Sequence, residues 1–262
     1  MTILDSPSQP GDSAGFYASG SGDRLFSDDH FPPAISAFLQ SERALLAAAA
    51  RHKHAIVEIG CHEGTHAEWC RAAGKHYLGV DPVERYIRQG LAKQPDFGER
   101  ECKLVVGSAE QIDEIIVREL DGILPSDILI LIPFNCFGNI TAVESAVGSI
   151  ARSGCSLLLS AYQTSLPALL ARFSYYAACG YNPLTLSRSE RGELFHDNNG
   201  LHTYAYAAAW LSALFSRFAM TVTPIRHGGI GQAYVTPDLE GGVTGILDSA
   251  GADLDNPQGA TL

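Results

Sequence analysis

Between Ala55 and Pro82 the chain reads AIVEIGCHEGTHAEWCRAAGKHYLGVDP, and no other stretch constrains the fold as tightly. A short apolar run, Ala55 to Ile59, carries one acid, Glu58, and breaks at Gly60, where the backbone can turn sharply without a Cβ clash. Gly64 then opens a helix. Tyr77 to Val80 form a second apolar run, Asp81 closes it about twenty residues after the turn, and Pro82 starts the next helix. Strand, glycine turn, helix, strand and acid make a parallel βαβ unit. A carboxylate at the end of the second strand is placed to accept both hydroxyls of a ribose, so the pattern implies a nucleoside pocket.

Spacing decides which nucleoside. A dinucleotide pyrophosphate needs the close backbone approach of G-x-G-x-x-G, whereas this turn reads Gly60-Cys61-His62-Glu63-Gly64. His62 stands where the middle glycine belongs, and Glu63 adds negative charge beside any phosphate. A nucleoside with an uncharged or cationic tail fits better. The string Glu58-x-Gly60-x-x-x-Gly64 resembles the first motif of class I S-adenosylmethionine-dependent methyltransferases, and Tyr77-Leu78-Gly79-Val80-Asp81 resembles their second. The resemblance covers roughly residues 55–236. It implies S-adenosylmethionine as substrate or methyl donor; no metal is expected, because the histidines show no paired ligand spacing.

The rest of the chain agrees with that fold class. Apolar runs at 55–59, 76–80, 103–106, 127–132 and 155–160 alternate with helical patterns at 64–73, 83–94, 109–120 and 140–152. Such alternation predicts an α/β, Rossmann-like, mostly parallel sheet that binds ligands at the carboxyl ends of its strands. A helix over 166–179, an irregular polar stretch over 182–200 and a helix over 204–218 should follow. Two apolar runs, 220–225 and 230–236, then form a C-terminal antiparallel pair, for seven strands in all. Residues 1–52 read as a flexible segment, an aromatic lid (Phe16, Tyr17, Phe26, Phe31) and a helix over 34–52. Residues 53–237 read as one binding domain with an acceptor-side insertion at about 161–203. Residues 238–262, which carry acids and no bases, read as a disordered tail.

Outside the first two motifs, the candidate cofactor contacts are implied by the resemblance. Gly107-Ser108-Ala109-Glu110 resembles the segment that reads the adenine edge through Ser108 and the Ala109 backbone. After the fourth strand, Pro133-Phe134-Asn135-Cys136-Phe137-Gly138-Asn139 lies where the methyl-donor end belongs, with Pro133 and Asn135 as cofactor contacts and Tyr17 closing from the lid. That segment offers amides and aromatics but no Asp, Glu, His or Lys, so no general base is expected at this strand end. His196 and His202 are the remaining candidates for one. Tyr175 and Tyr176 could set a π-face against a sulfonium, which gains on the order of 0.5–2 kcal/mol.

Two reactions fit this inventory. Methyl transfer aims an acceptor at the methyl carbon, mostly by proximity and orientation. Alternatively, Asn139, Tyr176 and Thr203 are similar to positions of the azetidine-2-carboxylate synthases, a branch of this fold that cyclises S-adenosylmethionine and releases methylthioadenosine. Cyclisation needs a cation-shielding aromatic, neutral hydrogen-bonding groups and exclusion of water, and is the favoured expectation. A silent S-adenosylmethionine-binding protein is the third reading. It would leave the acceptor side bare, unlike the polar cluster from His196 to Thr203.

Composition narrows the partners. A formal charge of -11 over 262 residues disfavours nucleic acid and anionic membranes and leaves small molecules. The six cysteines show no C-x-x-C spacing, so no zinc knuckle or disulfide framework is expected. There is no N-terminal basic-plus-apolar signal and no apolar run near the roughly twenty residues that span a bilayer, from which a cytoplasmic protein is expected.

Overall fold

The computed structural model describes residues 13–93 and 101–254. Two helices, α1 (Ser13–Ala18) and α2 (Pro33–Ala49), precede β1 (Ala55–Ile59). Helix and strand then alternate through α3 (Ala67–Ala72), β2 (His76–Asp81), α4 (Glu84–Lys93), β3 (Cys102–Val106), α5 (Ile112–Glu119), β4 (Ile128–Ile132), α6 (Val143–Ser153) and β5 (Ser156–Tyr162). After α7 (Leu166–Ala178) come β6 (Thr185–Ser189), β7 (Gly192–His196), β8 (His202–Tyr206) and α8 (Ala208–Arg217). The last elements are β9 (Thr223–His227), β10 (Gly231–Val235) and α9 (Pro237–Leu254).

Seven strands form one sheet in the order β3-β2-β1-β4-β5-β10-β9, and only β10 runs against the others. This is the expected mostly parallel sheet with an antiparallel ending. Its centre is apolar on both faces: β4 reads ILILI with every residue buried, because helices cover each side and no face is left for polar alternation. One face packs Ile112, Val147, Leu214 and Phe215 from α5, α6 and α8. The other packs Leu45 and Leu46 of α2, Cys70 of α3 and Leu239 and Val243 of α9. Because β1 lies between β2 and β4, the chain leaves β1 in opposite directions on its two sides. The crevice this creates at the carboxyl ends is where such sheets bind ligands.

Three expectations are corrected. The stretch 182–200 is not irregular: β6 and β7 form a hairpin, and β8 completes a three-stranded antiparallel sheet of its own. The outer strand β6 is almost wholly exposed, so its sequence TLSRS carries no apolar alternation to betray it. The helix predicted over 204–218 begins only at Ala208, since Tyr204 and Tyr206 belong to β8. The expected disordered tail is the helix α9 as far as Leu254, and 255–262 lie outside the described residues. Its acidity masks an i, i+4 apolar pair, Leu239 and Val243, that docks on the core beside α2.

The N-terminal segment is likewise ordered from Ser13 onward, in α1 and two 3₁₀ turns, Asp23–Phe26 and Asp28–His30. Phe16 and Leu25 are buried in a third cluster with Phe38, Tyr175, Phe195 and Leu201. Residues 1–12, expected to be mobile, lie outside the described residues, as does the last residue of the helix expected over 83–94.

Candidate active site

A cavity of about 1090 Å³ opens over the carboxyl ends of β1, β2, β4 and β5. Gly60 makes the first turn possible. Its φ is +74°, and a Cβ there would stand 2.2 Å from Cys136 Sγ, so no side chain fits. His62 follows in the left-handed region at φ 54° and donates its backbone N–H to Asp81 Oδ2 at 2.9 Å. The Val83 N–H donates to Asp81 Oδ1, also at 2.9 Å. Asp81 is thus held by both oxygens and keeps lone pairs for the cavity it lines. Burial pushes its carboxyl pKa up to about 6.

Glu58 is held inside the wall. It is fully buried, accepting from Tyr77 Oη at 2.5 Å, from the His66 N–H at 3.2 Å and from His66 Nδ1 at 2.9 Å. Burial alone would lower the His66 pKa, but the Glu58 carboxylate outweighs it and raises it. The pair is largely neutralised within the wall. Gly64 does not line the cavity: at φ 96° it donates to the Cys61 carbonyl and turns the chain toward α3. Ser108 and Ala109 do line it, and Ser108 makes no side-chain cap.

The loop after β4 is strained, with Phe134 at φ 45° and Asn135 at φ 56°. The Asn135 amide is fully engaged. It donates to the Tyr204 carbonyl at 2.9 Å and Thr203 Oγ1 at 3.2 Å, and its oxygen accepts the Tyr162 N–H at 3.2 Å. It lines the cavity as a tie between β4, β5 and β8 whose polar atoms are already engaged. Asn139 ends a 3₁₀ turn, Cys136–Asn139, and caps nothing, since α6 starts at Val143 with Ala142 before it.

Asn139, Tyr176 and Thr203 all line the same cavity, as do Pro133 and Tyr17. Tyr176 Oη accepts from Arg172 Nε at 3.5 Å, which leaves its proton to donate elsewhere. Aromatic rings surround this end: Phe31, Phe134, Tyr162 and Tyr175 join Tyr176 and Tyr17. His196 and His202 do not reach it. They pair with each other at the end of β7 and β8, and strand alternation turns Leu201 and Thr203, not His202, toward the cavity.

The N-terminal segment roofs the cavity. Tyr175 Oη donates to the Leu25 carbonyl at 2.5 Å and Tyr181 Oη to the Ser21 carbonyl at 2.7 Å. Arg85 pairs with Asp23 and donates to the Tyr17 carbonyl at 2.9 Å. The His62 ring lies against both Phe26 and Tyr86, with ring centroids 4.3 and 4.0 Å apart. Burial lowers the His62 pKa, so that ring is neutral near pH 7.

Two buried charges near the cavity, Arg172 and Glu42, escaped the sequence reading. Arg172 is fully buried on α7, donates to the Thr203 carbonyl at 2.9 Å and lies 4.9 Å from the Phe195 ring centroid. Glu42 on α2 is 3% exposed, lines the cavity and accepts the Phe134 N–H at 2.8 Å. The expectation that no acid serves this strand end is therefore overturned: the carboxylate arrives from 92 residues upstream. One signal was available. Ile35, Phe38, Glu42, Leu45 and Ala49 form an i, i+3, i+4 stripe along α2, and an acid within an apolar stripe is out of place unless it has work there.

The wall's charge is lopsided. Asp28, Glu42, Glu58, Glu68, Asp81 and Glu110 line it against one guanidinium, Arg43, and the imidazoles of His62 and His66. Such a cavity attracts cations. Among the described residues no group of three or more His, Cys, Asp or Glu gathers to hold a metal, and no helix is long and apolar enough to cross a membrane.

No protein-family model and no curated protein matches the chain. Solved structures do. The 1,6-didemethyltoxoflavin-N1-methyltransferase of Burkholderia thailandensis, solved with 1,6-didemethyltoxoflavin and S-adenosylhomocysteine, is 15% identical with a TM-score of 0.57, over 90% of this chain and 94% of that one. The PH0226 protein of Pyrococcus horikoshii is 13% identical with a TM-score of 0.55, over 79% and 92%. The magnesium protoporphyrin IX methyltransferase of Synechocystis, solved with S-adenosylhomocysteine, is 12% identical with a TM-score of 0.52, over 85% and 97%. At such identities the likeness speaks to architecture alone: the chain has the α/β, Rossmann-like fold of the S-adenosylmethionine-dependent methyltransferases.

Proposed function

We propose that the protein is an S-adenosylmethionine-consuming enzyme of small-molecule metabolism, and that its reaction is intramolecular closure of the substrate to azetidine-2-carboxylate. The Gly60 turn and the doubly anchored Asp81 suit the adenosine half, with Asp81 accepting from the ribose hydroxyls. Ser108 and Ala109 stand where the adenine edge would be read. The excess of wall carboxylates suits a ligand that carries a sulfonium and an ammonium.

One observation carries the cyclisation reading. The end of the cavity beyond β4 is an aromatic box in which Asn139, Tyr176 and Thr203 supply neutral hydrogen-bonding side chains, roofed by the chain's own N-terminal segment. In that box the unprotonated α-amine attacks Cγ of the same molecule. The N–C bond forms as the C–S bond breaks, the electron pair goes to sulfur, and methylthioadenosine leaves. Aromatic faces stabilise the sulfonium until it is discharged, and exclusion of water prevents hydrolysis. Asn139 and the hydroxyls of Tyr176 and Thr203 orient the amine and carboxylate.

Methyl transfer to a small acceptor is the second reading, favoured by the cavity's size. At about 1090 Å³ it lies at the top of the roughly 300–1,000 Å³ usual for small-molecule sites, with room for a second molecule. The methyltransferase fold of the solved relatives lends the same support. One experiment separates the two readings. Purified protein incubated with S-adenosylmethionine alone should release methylthioadenosine and azetidine-2-carboxylate. S-adenosylhomocysteine appearing only with an added acceptor overturns cyclisation in favour of transfer, and a bound but unconsumed substrate overturns both.

A further inference from the structure

Resting on the reading of this cavity as an S-adenosylmethionine site, we infer that Glu42 is the proton acceptor of the reaction, taking the proton from the attacking nitrogen. In cyclisation that nitrogen is the substrate's own α-ammonium. Loss of one proton to the Glu42 carboxylate frees the lone pair that closes the ring. In transfer to a nitrogen or oxygen acceptor, the same carboxylate takes the proton that the acceptor gives up as the methyl group arrives. Either way one proton leaves the nucleophile and one carboxylate gains it.

Three observations support the assignment. Glu42 occupies a core position of α2, between Phe38 and Leu45, where an apolar residue would pack without having to bury a charge. Its place is fixed, because Oε2 accepts the Phe134 N–H at 2.8 Å and so fastens α2 to the strained turn after β4. A carboxylate offers about four acceptor positions, so this bond leaves capacity for an incoming N–H on the cavity side.

The surroundings favour a basic carboxylate. Burial raises the Glu42 pKa, against the lowering effect of the Ser160 hydroxyl and the Phe134 N–H. On β1 and the turn after it, Glu58 raises it and His66 lowers it. From α2 itself, Arg43 lines the cavity. Behind it on β5 and β9, Ser160 Oγ meets His227 Nε2 at 3.3 Å, and burial lowers the His227 pKa to about 4, so that ring is neutral and adds no charge. A proton acceptor works best with a pKa near the working pH, and an upward shift moves a carboxylate in that direction.

A purely structural clamp predicts something different, which Glu42→Gln separates. Glutamine keeps an oxygen for the Phe134 N–H but cannot take a proton. Loss of a positioned general base lowers turnover roughly 10²–10⁴-fold. The expected result is at least a hundredfold fall in kcat with the melting temperature retained, and recovery of at least tenfold over that variant in Glu42→Asp. Wild-type kcat should fall as pH drops through the Glu42 pKa, and that acid limb should vanish in Glu42→Gln. Calorimetry in buffers of different ionisation enthalpy gives a readout independent of turnover: over the pH range of the wild-type acid limb, substrate binding should release fewer protons from Glu42→Gln than from wild type. A Glu42→Gln rate within about threefold of wild type, with the acid limb intact, overturns the assignment while leaving the proposed function standing. An equal collapse in Gln and Asp variants that both stay folded also overturns it, in favour of a clamp. Wild-type protein that consumes no S-adenosylmethionine overturns both readings.

Discussion

Affinity for the adenosine half of the ligand should depend on pH through one residue, Asp81. Its carboxyl has a pKa of about 6, against about 3.9 for an ordinary aspartate, because burial disfavours the charge. The folded protein therefore binds this proton more tightly than the unfolded chain. Its contribution to stability falls as pH rises from about 4 to about 6, by about 3 kcal/mol in all. Ribose hydroxyls donate, so they bind the ionised form. Apparent Kd then scales as 1 + 10^(pKa − pH), which makes binding about tenfold weaker at pH 5 than at pH 7.5, or about 1.4 kcal/mol. Methylthioadenosine is the ligand to titrate, because it keeps the ribose diol and lacks the α-amine that would bring Glu42 into the measurement. In Asp81→Asn the pH dependence should disappear. The pH 7.5 affinity should fall by at least tenfold, since hydrogen bonds to a charged group contribute roughly 1.5–3 kcal/mol. Folding should change little, because relief of the buried charge offsets the single backbone N–H, of His62 or Val83, that one amide oxygen leaves unpaired. Wild-type affinity that stays flat from pH 7.5 to 5, or an Asp81→Asn variant that keeps the tenfold change, would refute the ribose role.

Gly60→Ala forces a left-handed alanine whose Cβ meets Cys136 Sγ at 2.2 Å; strain of about 1–2 kcal/mol plus overpacking of about 1–3 kcal/mol should lower the melting temperature by roughly 5–15 °C. Adding Cys136→Ala should restore the overpacking share, and an unchanged melting temperature in the single variant would contradict the close approach. Lys53→Met should loosen α9, because the buried Lys53 Nζ donates to the Ser126 carbonyl at 2.8 Å, Ser156 Oγ at 2.5 Å and Asp238 Oδ2 at 2.8 Å. Asp238 is half exposed, so the expected loss is discounted to about 1–3 kcal/mol, read as faster amide exchange in α9 relative to β4.

What the sequence made legible was whatever repeats or punctuates locally. The βαβ unit around Gly60 and Asp81 could be read because a turn, a strand end and a helix start each leave a mark within a few residues. The first five strands could be read because strands covered on both faces are largely apolar. The hairpin of β6 and β7 could not, since an exposed edge strand such as TLSRS has no buried face to write into its pattern. Helix α9 failed for the opposite reason: its buried core contacts, Leu239 and Val243, sit among acids and glycines that dominate any compositional average. Among site residues, those placed by a motif lie at the cavity, except Gly64, whose glycine serves the bend of the chain alone.

The chemistry at the strand 4 end was hidden because no local pattern encodes it. Phe134 and Asn135 adopt left-handed conformations that cost on the order of 1–3 kcal/mol each and that glycine would take more readily. The turn holds its shape because distant groups grip it: Glu42 from 92 residues upstream, and Thr203 and Tyr204 from 68 and 69 residues downstream. The same contacts that stabilise the strained turn carry a carboxylate and a threonine hydroxyl to the cavity wall. A base written into the loop itself would have been visible from its neighbours. One delivered by an N-terminal helix is visible only as a misplaced acid in an apolar stripe, and its meaning depends on knowing what the stripe packs against. Scaffold and site are therefore coupled here: the burial that fixes α2 against the sheet is also what raises the Glu42 carboxyl toward the pH at which it could exchange a proton.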